Sequence, residues 1–264
     1  AAGLKLLLEV LSKAKNITRF DNKFIADPFI ISHNNKHFCF VEEYCYSVKK
    51  AHISLYQLFE NENPAYLGKV IQEDFHMSYP YIFKFEGIYY MVPETSEVNS
   101  IRLYEAIEFP LKWKFKKILK SNVSAADSTI FKFNEKWWLF VNIDPVNSGD
   151  HCSELFAYYS DQPITSEWKP YKMNPIIIDP LSARMGGIIQ DQKDLYRVAQ
   201  TQGFNTYGQS TKIFKIINIT DEYYKEDHIS KITPDFRSDI LGIHHLHTNG
   251  ECTVFDSFSE EKLY

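Results

Sequence analysis

Residues 26–42 read ADPFIISHNNKHFCFVE, residues 78–94 read SYPYIFKFEGIYYMVPE and residues 126–142 read ADSTIFKFNEKWWLFVN. Shifted by 52, the first lays Pro28 on Pro80, Phe29 on Tyr81, Phe38 on Tyr90 and Glu42 on Glu94. Shifted by 48, the second lays Ile82-Phe83-Lys84-Phe85 on Ile130-Phe131-Lys132-Phe133 and Tyr89-Tyr90 on Trp137-Trp138. A weaker copy, RMGGIIQDQKDLYRVAQ, spans 184–200, and the weakest, GIHHLHTNGECTVFD, spans 242–256. Each copy is an apolar run, a short polar turn (His33-Asn34-Asn35, Glu86-Gly87, Asn134-Glu135, Asp191-Gln192, Asn249-Gly250) and an aromatic run. That is the composition and loop length of a β-hairpin.

Further strand candidates follow the first four hairpins. Third strands are expected at Ile53–Phe59, Ile101–Ala106, Glu154–Ser160 and Lys212–Ile217, and fourth strands at Tyr66–Ile71, Trp113–Leu119, Trp168–Tyr171 and His228–Ile232. Four strands recurring about every 50 residues, five times, is the arithmetic of an all-β, five-bladed β-propeller with four-stranded blades. Blades are expected near 26–71, 78–120, 126–172, 184–232 and 242–264, the last with N-terminal closure. Residues 1–20 do not repeat. Leu4, Leu7, Leu8 and Leu11 have helical spacing, which predicts a short N-terminal helical extension.

Composition narrows the function. With 29 basic against 34 acidic residues, net charge −5, the 264-residue chain lacks the basic excess of a nucleic-acid surface. The basic run Lys112–Lys120 alternates with Trp113, Phe115 and Leu119 and reads as an exposed outer strand. No apolar run approaches the roughly 20 residues of a membrane helix. Cys39, Cys45, Cys152 and Cys252 have no metal-binding spacing and read as reduced thiols, so a cytoplasmic location is expected. Neither a cofactor nor a metal is expected. There is no Gly-rich phosphate loop, and strand alternation sets His244 on the face opposite His245 and His247.

In a propeller, the start of each innermost strand and the end of the next lie at one mouth of the central channel. The starts here are Asp27, Ser78-Tyr79, Asp127, Arg184 and His244; the ends are Glu42-Glu43, Glu94, Asn142 and Gln200. Polar residues at these positions, with apolar ones between, predict a binding mouth. His76, just before the second hairpin, and Arg197, near the end of the fourth, join the candidates. Carboxylates facing one another across an aromatic-lined pocket suit glycosidic-bond chemistry, one ionised as base or nucleophile and one protonated as acid. Asp27, Asp127 and Glu94 are the candidate catalytic residues. His76, Tyr79, Glu42, Asn142, Arg184, Arg197, Gln200 and His244 are the candidate ligand-binding residues.

The ADPF of residues 26–29, the Asp127 motif and the Pro163-to-Trp168 spacing resemble the five-bladed propellers of family 43 and family 32 glycoside hydrolases. Ala26 to Gln200 looks closer to the N-terminal propeller domain of plant glucosamine inositolphosphorylceramide transferases and related bacterial surface-polysaccharide proteins. The matching motifs include Gly68-Lys69, His76-x-Ser78-Tyr79-Pro80, Pro93-Glu94, Asn174-Pro175, Ala183-Arg184 and Tyr207-Gly208. The resemblance implies that Asp27 sits where family 43 enzymes keep a general base and Asp127 where they keep the carboxylate that tunes the acid. At the fourth blade, where those enzymes keep the acid itself, a Glu, this chain has Arg184-Met185-Gly186-Gly187. The proton would then come from Glu94 or Glu42, or the arginine would hold an anionic ligand.

Two functions are expected from this. One is an enzyme acting on a glycan or sugar nucleotide in surface-polysaccharide or glycolipid metabolism. The other is a non-catalytic recognition domain. The expected partners are that ligand and a fused or associated glycosyltransferase or formyltransferase domain.

Overall fold

The computed structural model describes residues 9–17, 20–191, 193–203 and 206–259, with backbone only at 206 and 207. Leu4, Leu7 and Leu8, the turn residue Gln192 and the Tyr207 side chain lie outside the described residues.

Four antiparallel sheets each run outward from an inner strand. The first is β1 (Lys23–His33), β2 (Lys36–Cys45), β3 (Lys50–Leu58) and β4 (Ala65–Ile71). The second is β5 (Ser78–Phe85), β6 (Ile88–Glu94), β7 (Ser100–Glu108) and β8 (Lys112–Ser121). The third is β9 (Ala125–Phe133), β10 (Lys136–Ile143), β11 (Glu154–Ser160) and the two-residue β12 (Lys169–Pro170), with β13 (Ile177–Ile178) also on β11. The fourth is β14 (Met185–Asp191), β15 (Asp194–Gly203), β16 (Thr206–Ile219) and β17 (Tyr224–Ile232). The inner strands follow one another around an axis, β1 beside β5, β5 beside β9 and β9 beside β14. The architecture is an all-β propeller, and the expected third and fourth strands overlap these elements, Phe59, Trp168 and Tyr171 lying just outside them.

It has four blades, which corrects the expected five. Among the described residues the fifth copy forms β18 (Leu246–Thr248) and β19 (Thr253–Phe255), a two-stranded sheet between β14 and β1. Its Asn249-Gly250 turn folds a hairpin, and among the described residues no outer strand is added to it. The N-terminal segment lies over it instead. Among the described residues of this segment, 9–12 are helical. Leu11 is buried among Val198, Ile213, Ile232, Ile243 and Leu246, and Ile17 packs on the cluster of Ile30, Cys39, Tyr56 and Val254. Arg237 Nη1 donates to the Ala14 carbonyl at 3.4 Å, and Lys15 Nζ to the Glu60 carbonyl at 3.0 Å.

Alternation along the strands turns aromatic residues toward the neighbouring blade, which is where this composition is spent. Phe40 of the first blade meets Phe109 and Trp113 of the second, Phe83 and Phe85 meet Trp137 of the third, and Phe140 meets Tyr224 of the fourth. The two-stranded sheet is fixed to the first blade by polar contacts: His245 Nε2 lies 3.0 Å from the Pro28 carbonyl, and Ile30 N donates to His247 Nδ1 at 3.2 Å.

Candidate functional site

The first three inner strands carry the same β-bulge. Ala26 pairs with Glu42 and Phe29 with Phe40; Ser78 pairs with Glu94 and Tyr81 with Val92; Ala126 pairs with Asn142 and Thr129 with Phe140. One extra residue is squeezed into each inner strand. The residue opening each bulge is left-handed, with φ 48° at Asp27, 45° at Tyr79 and 52° at Asp127. Such backbone costs an L-residue about 1–2 kcal/mol, least for Asp, so surrounding contacts must hold it. Asp27 N donates to Asp256 Oδ2 at 3.0 Å, and Tyr79 N donates to Asp27 Oδ2 at 3.2 Å. Each acid thus caps the bulge of the next sheet, not its own turn. In the fourth blade the bulge falls at Gly186. A side chain there would meet the His244 carbonyl at 2.6 Å, so glycine lets β14 close on the fifth sheet.

The bulges bring the candidate acids to one mouth. Asp27, Glu42, Asp127 and Asp256 are buried, and Glu94 nearly so. On one side His244 lies between two of them, Nε2 3.4 Å from Asp27 Oδ1 and Nδ1 3.1 Å from Asp256 Oδ1. Burial alone would lower the imidazole, but Asp256, Asp27 and Asp127 outweigh it and raise it to about 9. Burial likewise works to raise Asp27, and the His244 hydrogen bond and charge overcome it, holding the carboxyl below its usual range. On the other side Arg184 Nε donates to Asp127 Oδ2, and Nη2 lies 3.5 Å from Glu94 Oε2. Gln200 Nε2 adds 3.2 Å to Asp127 Oδ2, and Ser96 Oγ donates to Glu94 at 2.9 Å. Burial lifts the Asp127 carboxyl, Arg184 pulls it back, Glu94 and Asp27 add to the lift, and the outcome is a carboxyl well above its usual range.

Glu42 differs from the rest. Its one close ionic neighbour is His76 Nε2, 3.5 Å from Oε1, and Oε2 has no partner among the described residues. Burial, then Asp27, Glu94, Asp256 and Asp127, push it well above the usual carboxylate range. Five carboxyls therefore face two strong cations, and burial with mutual repulsion pushes Glu42 and Asp127 toward their protonated forms.

The other expected residues have different surroundings. Glu43 turns to the opposite face of β2, where Lys23 Nζ and His52 Nε2 bond it at 2.6 and 2.9 Å. Tyr79 is fully buried against Phe29 and His245, its hydroxyl 2.9 Å from Thr129 Oγ1; it fills the channel. The Asn142 amide is consumed by the Glu154 and Ala183 carbonyls and by Met185 N, tying the third blade to the fourth. Arg197 is not at the mouth. It is wholly buried in a fork to Glu226 of β17, over the Phe214 ring.

Asp256 is the functional-looking residue that sequence reasoning passed over. It ends the hairpin of the fifth copy, the repeat position of Glu42, Glu94, Asn142 and Gln200, so the repeat itself carried the signal. Ligand atoms of Asp27, His244 and Asp256 lie within 4.8 Å of one another, close enough for a metal. Both His244 ring nitrogens face carboxylates, so the ring would have to lose a proton to ligate one.

Residues 9–238 match the family described as glucosamine inositolphosphorylceramide transferase 1, N-terminal. The chain is 34% identical over 211 residues to glucosamine inositolphosphorylceramide transferase 1 of Oryza sativa subsp. japonica, a match covering 78% of this chain and 28% of that protein. It thus spans little more than a quarter of the curated relative. Among solved structures it is similar to the catalytic domain of a family 62 α-L-arabinofuranosidase of Coprinopsis cinerea, with TM-score 0.66, 11% identity, and 94% and 88% of the two chains covered. It is also similar to a family 117 glycoside hydrolase of the marine bacterium Zobellia galactanivorans, with TM-score 0.64, 11% identity, and 84% and 75% covered. At such identity these two likenesses speak to the fold.

Proposed function

Because the chain belongs to the glucosamine inositolphosphorylceramide transferase 1 N-terminal family, we propose that it is a sugar-binding propeller serving a glycosyl-transferring protein. The carrying observation is Arg184 lodged between Asp127 and Glu94. A carboxylate neutralised by a guanidinium is a poor base and a poor proton donor, but a well-oriented acceptor for sugar hydroxyls. The surplus of carboxyls over cations, and the name of the rice relative, support a ligand with a free amine, a glucosamine unit. Its ammonium would take the place of the proton on Glu42.

Calorimetry with glucosamine, N-acetylglucosamine and glucose tests this. Glucosamine is expected to bind at least about tenfold more tightly than the others, releasing a proton at neutral pH, with the preference lost in Glu42→Gln. Equal affinity for all three would reject amine recognition.

One feature favours a catalytic alternative: at the same mouth the Asp27 carboxyl is held below its usual range and that of Glu42 well above it. Carboxyls pushed in opposite directions are what acid–base glycosyl chemistry needs. In that case Asp27→Asn would abolish turnover of a glucosaminide while leaving its binding within a few-fold.

A further inference from the structure

The charged mouth continues outward into aromatic rings. Glu42 and Tyr44 project from the same face of β2, two residues apart, and His76 contacts both: its Nε2 lies 3.5 Å from Glu42 Oε1, and its ring centroid 6.1 Å from that of Tyr44. Tyr44 stacks on its cross-strand partner Phe24 at 4.8 Å and 17°. Tyr46 packs on both rings, 5.5 Å from Tyr44 and 5.8 Å from Phe24, and is 49% exposed. Neither tyrosine hydroxyl has a hydrogen-bond partner in the protein among the described residues.

We propose that Phe24, Tyr44 and Tyr46 form a stacking platform for a second sugar ring, covalently joined to the one held at the mouth. This rests on the mouth being a sugar site and names its ligand as an oligosaccharide or glycoconjugate. Ring faces match the apolar C–H face of a pyranose, and the unpartnered hydroxyls match its hydroxyl edge. Continuity through His76 selects this occupant over an unrelated protein segment. A sugar at Glu42 would direct its neighbour across His76 onto Tyr44.

The test compares glucosamine with its β-1,4-linked disaccharide and trisaccharide, titrated into the full 264-residue chain by calorimetry or protein-observed NMR. Wild type is expected to bind the disaccharide about tenfold or more tightly than the monosaccharide. Tyr46→Ala, at an exposed position that should leave folding intact, would remove most of that gain without changing monosaccharide affinity. Tyr46→Phe would keep it. Equal affinity for mono- and disaccharide, or an unchanged gain in Tyr46→Ala, would overturn the platform and leave the mouth site standing. No binding of any of the three would overturn the mouth reading and the platform with it.

Discussion

Two carboxylates flank one cation on each side of the channel mouth, but the sides are built differently. Asp27 and Asp256 face His244, and both also accept from backbone N–H groups: Tyr79 N reaches Asp27, while Asp27 N and His245 N reach Asp256. Asp127 and Glu94 face Arg184, and their other donors among the described residues are side chains, Gln200 and Ser96. The backbone holds the charges on the first side, and a permanent cation holds them on the second. The first side loses its cation as pH climbs through about 9, and the second keeps its guanidinium.

Removing the cations should separate the sides most sharply. Arg184→Met is expected to cost about 3–5 kcal/mol at pH 7, because it strands buried carboxylates that lack main-chain donors. His244→Gln should cost about 1–3 kcal/mol, since the backbone donors remain. Urea denaturation of the two variants measures both, and equal losses would dissolve the distinction.

A pH series sharpens it. His244 is raised above its ordinary 6.5 to about 9. Its contribution is complete below about pH 6.5 and is lost as pH climbs through 9, up to about 3 kcal/mol for one proton. Unfolding free energy measured from pH 6 to 10 should decline, and His244→Gln should flatten the decline.

Glu42→Gln tests the surplus charge lying between the sides. Folding raises this carboxyl, so the native state is penalised wherever the unfolded chain ionises, above about pH 4.5. Gln should stabilise by about 1–2 kcal/mol at pH 8 and by almost nothing at pH 4. Thermal melts at the two pH values distinguish the cases. The smallest effect belongs to the rim, where Tyr46→Ala should shift stability by no more than about 0.5 kcal/mol.

Much of this arrangement was legible in the chain. The hairpin repeat located the inner strands, and reading two repeat positions around the ring, the strand starts and the hairpin ends, gathered Asp27, Glu42, Glu94, Asp127, Arg184, Gln200 and His244. Arg197 was misplaced because it stands three residues from Gln200, an odd spacing that turns it to the opposite face of β15. Tyr79 occupies the same bulge position as the two aspartates, but a ring of that size fills the channel where a carboxylate lines it. That the fifth sheet is two-stranded among the described residues was hidden because a turn signal announces a hairpin and says nothing of what lies beside it. Asp256 was hidden only by the weakness of the fifth copy.

The contact between Asp27 and Asp256 joins residues 229 positions apart. It crosses the seam where the last sheet meets the first. The His244 half of the cluster therefore cannot exist on a chain that has folded its four blades but not shut the circle. Closing so long a loop is slow and entropically costly, so competence to bind should appear last during folding. Site occupancy would then report on ring completion.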